Sequence, residues 1–297
     1  MHRMLCVLSV CFMILSGHAL GEDRYFDAAG VKIRYVDRGR GEPIVLLHGG
    51  TSNLESWIVR GVLPNLEKDF RVIAFDARGH GKSDKPRDPA AYGRQQALDV
   101  VRLLDALRID HAHIIGYSLG GSTVAQLLTL HPERFLTAVQ ISGAGRSPAL
   151  ADDPRIEAEA AEIEKDCISR GRITRQAPPH AKPSEAELQE RAATCRANKD
   201  FDQYATAASI RGYRDQVIGA EQVKAVRVPT LGVVGSVDSA LHSMQDLAKL
   251  RPDMKFVIVE GASHTGPDGI QGRPELIRAI REFIASQRKP DARQAAR

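Results

Sequence analysis

The residues with the most informative chemical spacing are Gly116-Tyr117-Ser118-Leu119-Gly120-Gly121. A serine with a glycine two positions to either side suits a sharp strand-to-helix turn, because small neighbours relieve crowding and leave the hydroxyl at the apex. The same glycines would also suit a turn that binds phosphate at a helix N-terminus. A serine hydroxyl is a poor nucleophile until a base takes its proton, so a histidine is needed. Of the ten histidines, His264 stands apart, in Glu260-Gly261-Ala262-Ser263-His264 just past an apolar stretch. His48 and His80 lie in glycine turns and read as structural, and His131 reads as a helix end. His111 and His113 face one side of a strand, but no third ligand accompanies them, so no metal site is expected. An acid must orient the imidazole from the same edge. Asp238 leaves the stretch Leu231-Gly232-Val233-Val234 through Gly235-Ser236-Val237, with Asp152, Asp153 and Asp246 as competitors.

These side chains meet only if the elements around them form one sheet. Tyr25-Phe26-Asp27 and Val31 to Val36 read as an opening hairpin. Ile44 to Leu47 and Arg71 to Phe75 are unbroken apolar runs, as expected of parallel strands covered on both faces. A helix is expected from about Arg94 to Leu107, then the strand His113-Ile114-Ile115 into the serine turn, and a helix from about Leu119 to His131 stopped by Pro132. Val139 and Ile141 belong to the next strand. From about Arg146 to Glu221 no strand-like run occurs. Glu157 to Lys165 reads as an exposed helix, Ala177-Pro178-Pro179 as a break, and Ser184-Glu185-Ala186-Glu187 as a capping box opening a second helix. After Pro229 the alternation resumes with Leu231 to Val234, a helix near Met244 to Leu250, Phe256 to Val259, and a closing helix from Pro274 to Ala285. The expected architecture is an α/β fold with a mostly parallel central sheet, flanked by helices and carrying a helical cap insertion.

The order Ser118, Asp238, His264 on such a fold resembles the α/β-hydrolase superfamily from about Tyr25 to Ile284. His48-Gly49-Gly50 resembles its oxyanion loop, Asp76 to Ser83 its turn after the fourth strand, and Gly261 to His264 its histidine loop. The resemblance implies that Ser118 attacks an acyl carbonyl, His264 accepts its proton and Asp238 fixes the imidazole. It implies an oxyanion hole from the backbone N–H groups of Leu119 and Gly50, with Thr51 a weaker candidate. It implies no cofactor and no metal. A carboxylic-ester or lactone hydrolase leads. A carbon–carbon bond hydrolase acting on a diketone, or a cofactor-free perhydrolase, would use the same three residues. A non-catalytic ligand receptor on the same fold is the rival of another class. Dehalogenases and most epoxide hydrolases of the superfamily carry aspartate in place of Ser118. Candidate substrate contacts are Trp57, Tyr204 and Tyr213, with Ile156 and Phe201.

Composition bounds the remainder. The 297 residues are 43% hydrophobic and 26% charged, ordinary for a globular chain, and the net charge of +4 is dispersed rather than gathered into a nucleic-acid-binding run. A small-molecule partner is expected, and the oligomeric state is left open. Met1-His2-Arg3, the apolar run Leu5 to Leu15 and the small residues Ser16, Gly17, Ala19 and Gly21 have the layout of a signal peptide over 1–19. The apolar run is shorter than the roughly 20 residues of a spanning helix. An exported protein without a stable membrane anchor is expected, periplasmic or secreted, with its core at 20–145 and 222–297 and its cap at 146–221. Cys6 and Cys11 leave with the leader. Cys167 and Cys195 remain, on consecutive helices of the insertion, and an oxidising compartment favours their pairing.

Overall fold

The computed structural model describes residues 22–177 and 181–288. The expected leader, the Pro178-Pro179 break and the tail beyond Arg288 lie outside these residues. Eight strands form one sheet: β1 (Arg24–Asp27), β2 (Lys32–Gly39), β3 (Pro43–Leu47), β4 (Arg71–Phe75), β5 (Ala112–Tyr117), β6 (Phe135–Ile141), β7 (Thr230–Gly235) and β8 (Lys255–Val259). Their order is β1-β2-β4-β3-β5-β6-β7-β8. The β1–β2 and β2–β4 pairs are antiparallel, and every pair from β4 through β3 to β8 is parallel. The expected hairpin and parallel core are therefore present.

Helices cover both faces. On one lie α1 (Glu55–Val59), α2 (Val62–Leu66) and, from the chain's end, a helix over Pro274–Gln287. On the other lie α3 (Arg94–Ala106) and α4 (Leu119–Leu130), whose Val100, Leu104, Val124 and Leu127 pack on Val45, Ile73 and Ile114. Burying the central runs on both faces removes their apolar surface from water, which is why these strands need not alternate. The chain leaves β3 toward β4 on one side, and β5 returns to the other side of β3. That reversal opens a crevice at the carboxyl ends of β3 and β5, where open α/β sheets place their ligands.

Between β6 and β7 the described residues form helices: α5 (Pro154–Asp166), α6 (Arg170–Gln176), α7 (Glu185–Ala197), α8 (Gln203–Arg211) and α9 (Ala220–Ala225). Ser184 and Glu187 form the expected reciprocal capping box at the start of α7. The expectation of an exposed helix over 157–165 is corrected. Ile156, Ala160 and Ile163 are buried against Ala207 and Ile210 of α8, because their spacing puts them on one stripe of α5. Residue 221, the expected end of the insertion, falls inside α9, whose Val223 packs with Ala125, Met244 and Leu247 of the core. Helix α10 (Leu241–Leu250) and the closing helix α11 (Pro274–Gln287) complete the chain.

Candidate active site

Ser118 sits between β5 and α4 with φ of 52° and ψ of −109°, a conformation that costs an ordinary residue about 1–3 kcal/mol. The turn survives because its neighbours lack side chains. A Cβ on Gly116 would collide with the Gly120 carbonyl, and one on Gly120 with the carbonyl of Leu47. Strand β5 can therefore turn into α4 without clash, and the serine is left facing the crevice.

The three side chains singled out from sequence come together. His264 Nε2 lies 3.0 Å from Ser118 Oγ, and His264 Nδ1 lies 2.8 Å from Asp238 Oδ1. A carboxylate only accepts, so Nδ1–H donates to Asp238 and Nε2 is left to take the Ser118 proton. Asp238 is fully held: Ala240 N–H donates to Oδ1 at 2.7 Å and Ser142 Oγ–H donates to Oδ2 at 2.6 Å. The competitors do other work. Asp153 caps α5 through the Arg155 N–H, and Asp246 pairs with Lys249 and His242 on the surface of α10.

Two supports were not read from the sequence. Tyr117 stacks on the imidazole of His264, ring centroids 5.4 Å apart, and its hydroxyl donates to the His264 carbonyl oxygen. Ser142, the residue after β6, adopts φ of 51° and points its hydroxyl at Asp238. A lone serine or tyrosine beside a strand end carries no spacing signal, so nothing in the sequence marks either.

The loop after β3 lies over the start of α4. A Cβ on Gly50 would approach Leu119 Cβ at 3.8 Å, and one on Gly49 would approach Ser118 Cβ at 3.5 Å. Among the described residues, neither the Gly50 nor the Leu119 N–H donates a hydrogen bond within the protein. Leu119 opens α4, where the first amides have no intrahelical partner. Thr51 turns its hydroxyl back to the Gly50 carbonyl at 2.7 Å.

This loop is braced from below. His48 Nε2 accepts from Ala77 N–H at 3.0 Å while Nδ1–H donates to the Gly49 carbonyl at 2.7 Å. That pattern needs a neutral ring, and burial pushes the His48 pKa down. Buried Asp76 accepts from Leu54 N–H and Lys82 N–H, each at 2.8 Å, and from Arg34. The expected structural roles of His48 and His80 hold. His113 donates or accepts at Thr137 Oγ1 inside the core, and no group of three or more metal-ligating side chains occurs among the described residues.

The relay opens on a cavity of about 490 Å³ lined by both crevice loops and by α5 and α6. Tyr213 and Ile156 line it, as expected. Trp57 does not: it is fully buried in the core, because the apolar side of α1 packs against the sheet. Tyr204 is also corrected. It is 47% exposed on the outer side of α8, beneath the Arg87 guanidinium, because the inner side of that helix is filled by Ala205, Ala208 and Ile210. Phe201 lines a neighbouring cavity with Cys195 rather than this one. Cys167 and Cys195 are joined by a disulfide with Cα atoms 6.0 Å apart.

Comparison with known proteins agrees with this fold. The family described as alpha/beta hydrolase fold matches residues 42–166. The chain is 40% identical over 122 residues to 2-hydroxymuconate semialdehyde hydrolase of Pseudomonas sp. (strain CF600), a stretch covering 40% of this chain and 43% of that protein. It is 29% identical over 293 residues to 2-(acetamidomethylene)succinate hydrolase of Mesorhizobium japonicum, covering 91% of this chain and 97% of that one. Among solved structures, Est816, described as an N-acyl homoserine lactone degrading enzyme, superposes with a TM-score of 0.71 at 28% identity over 88% of this chain and 100% of its own. Several of the curated relatives are matched over less than half of their length. Sheet order and serine turn are those of the α/β-hydrolase fold, and these likenesses support that superfamily as the chain's own.

Proposed function

We propose that this protein is a serine hydrolase that cleaves a small carboxylic ester or lactone through an acyl-enzyme on Ser118. The observation that carries the reading is the continuous hydrogen-bonded chain from Ser118 through His264 to Asp238, facing a cavity beside two unengaged backbone amides. Ser118 Oγ bonds to the acyl carbon as its proton passes to His264 Nε2, and the carbonyl oxygen becomes an oxyanion. The N–H groups of Leu119 and Gly50 receive that oxyanion, and removing one such donor typically costs about 3–4 kcal/mol of transition-state stabilisation. The imidazolium, held by Asp238, gives its proton to the leaving oxygen as the acyl–oxygen bond breaks. Water then enters, loses a proton to His264 and releases the acid, which restores Ser118.

A second reading, the carbon–carbon bond hydrolase, has its own support, since relatives are named as hydrolases of 2-hydroxymuconate semialdehyde and of 2-hydroxy-6-oxo-6-phenylhexa-2,4-dienoate. The same residues would then protonate a carbon leaving group. Steady-state turnover of a panel of esters, lactones and ring-fission diketones by the wild type and Ser118→Ala separates these readings. Ester or lactone cleavage that Ser118→Ala loses by at least about a thousandfold is expected. Turnover confined to the diketones selects the second reading. No turnover of any member, in a protein that binds one of them, favours the receptor.

We also propose export after removal of residues 1–19, supported by the disulfide, which suits an oxidising compartment. N-terminal sequencing from the native host should begin near Leu20 or Glu22; a start at Met1 contradicts it.

A further inference from the structure

The cavity above Ser118 is unevenly charged. Four guanidinium groups line it, those of Arg146, Arg155, Arg172 and Arg175, against the two carboxylates of Asp153 and Glu159. Both carboxylates are already taken. Asp153 holds Arg155 at 2.9 Å, and Glu159 contacts Arg172 as well as Arg175, the latter at 3.3 Å. Arg146 has no carboxylate partner among the described residues. Its Nε–H donates to Gln216 Oε1 at 3.0 Å, and its guanidinium lies 3.5 Å from the centroid of the Tyr213 ring.

That arrangement leaves a part-buried guanidinium short of counter-charge. A guanidinium taken out of water needs a counter-charge, and a ring face and one amide oxygen supply only part of it. Burial pushes the Arg146 pKa down, and the neighbouring Arg172 adds to this against the pull of Tyr213. Burial alone would raise the Tyr213 hydroxyl, yet the guanidinium groups of Arg172 and Arg146 outweigh it and draw the pKa down. An acceptor-only group at this point would satisfy all three side chains.

The cluster also lies beside the reacting centre. A Cβ on Gly50 would be 3.5 Å from Arg172 Nη1 and 3.8 Å from Tyr213 Oη, as well as 3.8 Å from Leu119 Cβ. A group bound there is only a few bonds from a carbonyl carbon held at Ser118. The lining carries two more positive than negative side chains, enough for one carboxylate and the oxyanion that forms beside it.

We infer that Arg146, Arg172 and Tyr213 bind a carboxylate of the substrate, so the site takes short acyl compounds bearing a free acid, such as monoesters of small dicarboxylic acids, in preference to neutral ones. The inference rests on the serine-hydrolase reading for the bond that breaks, but not for the binding itself. A guanidinium fork matches a planar carboxylate in two parallel hydrogen bonds, and phosphate shares that chemistry, so both are tested.

The experiment is a calorimetric titration of the full chain with succinate, glutarate and adipate, their neutral diamides, and inorganic phosphate. It is repeated on Arg146→Gln and, should that variant not fold, on Arg172→Gln. At least one dicarboxylate is expected to bind about tenfold or more tightly than its diamide, and the variant is expected to lose that preference. The same dicarboxylate should slow the labelling of Ser118 by a fluorophosphonate. Equal binding of diacid and diamide, no binding of any diacid, an unchanged preference in the folded variant, or tighter binding of phosphate overturns the inference. Diacid binding without any Ser118 labelling defeats the serine-hydrolase reading alone. Labelling that no diacid slows defeats this inference alone.

Discussion

Ser142 Oγ–H donates to Asp238 Oδ2 at 2.6 Å, on the side of the carboxylate opposite His264. The acid that orients the imidazole is thus clamped from two directions, its Oδ2 by a residue at the end of a neighbouring strand and its Oδ1 also by Ala240 N–H of its own loop. Ser142→Ala is expected to leave a buried carboxylate oxygen unpaired, at a cost of about 1–3 kcal/mol in stability. With Asp238 freer to turn, kcat/KM should fall about tenfold, equivalent to roughly 1.4 kcal/mol of transition-state stabilisation. Denaturant titration and steady-state kinetics check both. A folded Ser142→Ala protein with unchanged kcat/KM shows that the clamp has no part in the chemistry.

Acid should destabilise the protein through its buried histidines. Burial first, and then the neighbouring His48, push the His80 pKa down to about 3, well below the unfolded value near 6.5. A depressed folded pKa means that the unfolded chain binds the proton first. Stability is therefore complete above the unfolded pKa and is lost as pH falls from about 6.5 toward 3. His80 alone should account for about 2 kcal/mol between pH 7 and pH 5. Urea unfolding at both values should show this fall, made shallower by about that amount in His80→Asn. Identical pH slopes in the two proteins contradict the assignment.

Much of this architecture is legible in the sequence because it rests on strong local constraints. Short unbroken Val/Ile/Leu runs suit strands buried on both faces, and glycines at 116 and 120 stand where any side chain strikes a neighbouring backbone. Ser118, Asp238 and His264 follow, since each leaves a strand at the same edge. Contacts made across the sheet left no such trace. Ser142 acts from β6 and Tyr117 acts through its hydroxyl on a loop 147 residues away, so neither has a spacing to detect. Helix α5 looked solvated because its apolar stripe is only Ile156, Ala160 and Ile163 among many charges. Trp57 and Tyr204 show the limit of residue type as a guide. A large aromatic in the chain is as readily a core filler or a surface platform for arginine as a wall of a cavity.

The disulfide should act on the helical insertion. Cys167 ends α5 and Cys195 lies on α7, with 28 residues of separation, and among the described residues Ile168, Leu188 and Ala192, with Ile173 packed against them, form a small core there. Chain-entropy arguments give about 3–4 kcal/mol for closing a loop of this length. Reduction, or Cys195→Ser, is expected to lower the melting temperature and to speed proteolysis within 154–211 before the sheet unfolds. Limited proteolysis with mass spectrometry reads this directly. Two free thiols in natively produced, denatured protein contradict the pairing.

The central claim is that Ser118 is a nucleophile activated by His264. It is tested most directly by incubating the folded protein with a fluorophosphonate and locating the adduct by tandem mass spectrometry. A single adduct on Ser118 is expected, absent in Ser118→Ala and strongly slowed in His264→Ala and Asp238→Asn. A folded wild-type protein that takes up no label, or that carries it on another residue while Ser118 stays unmodified, contradicts the account.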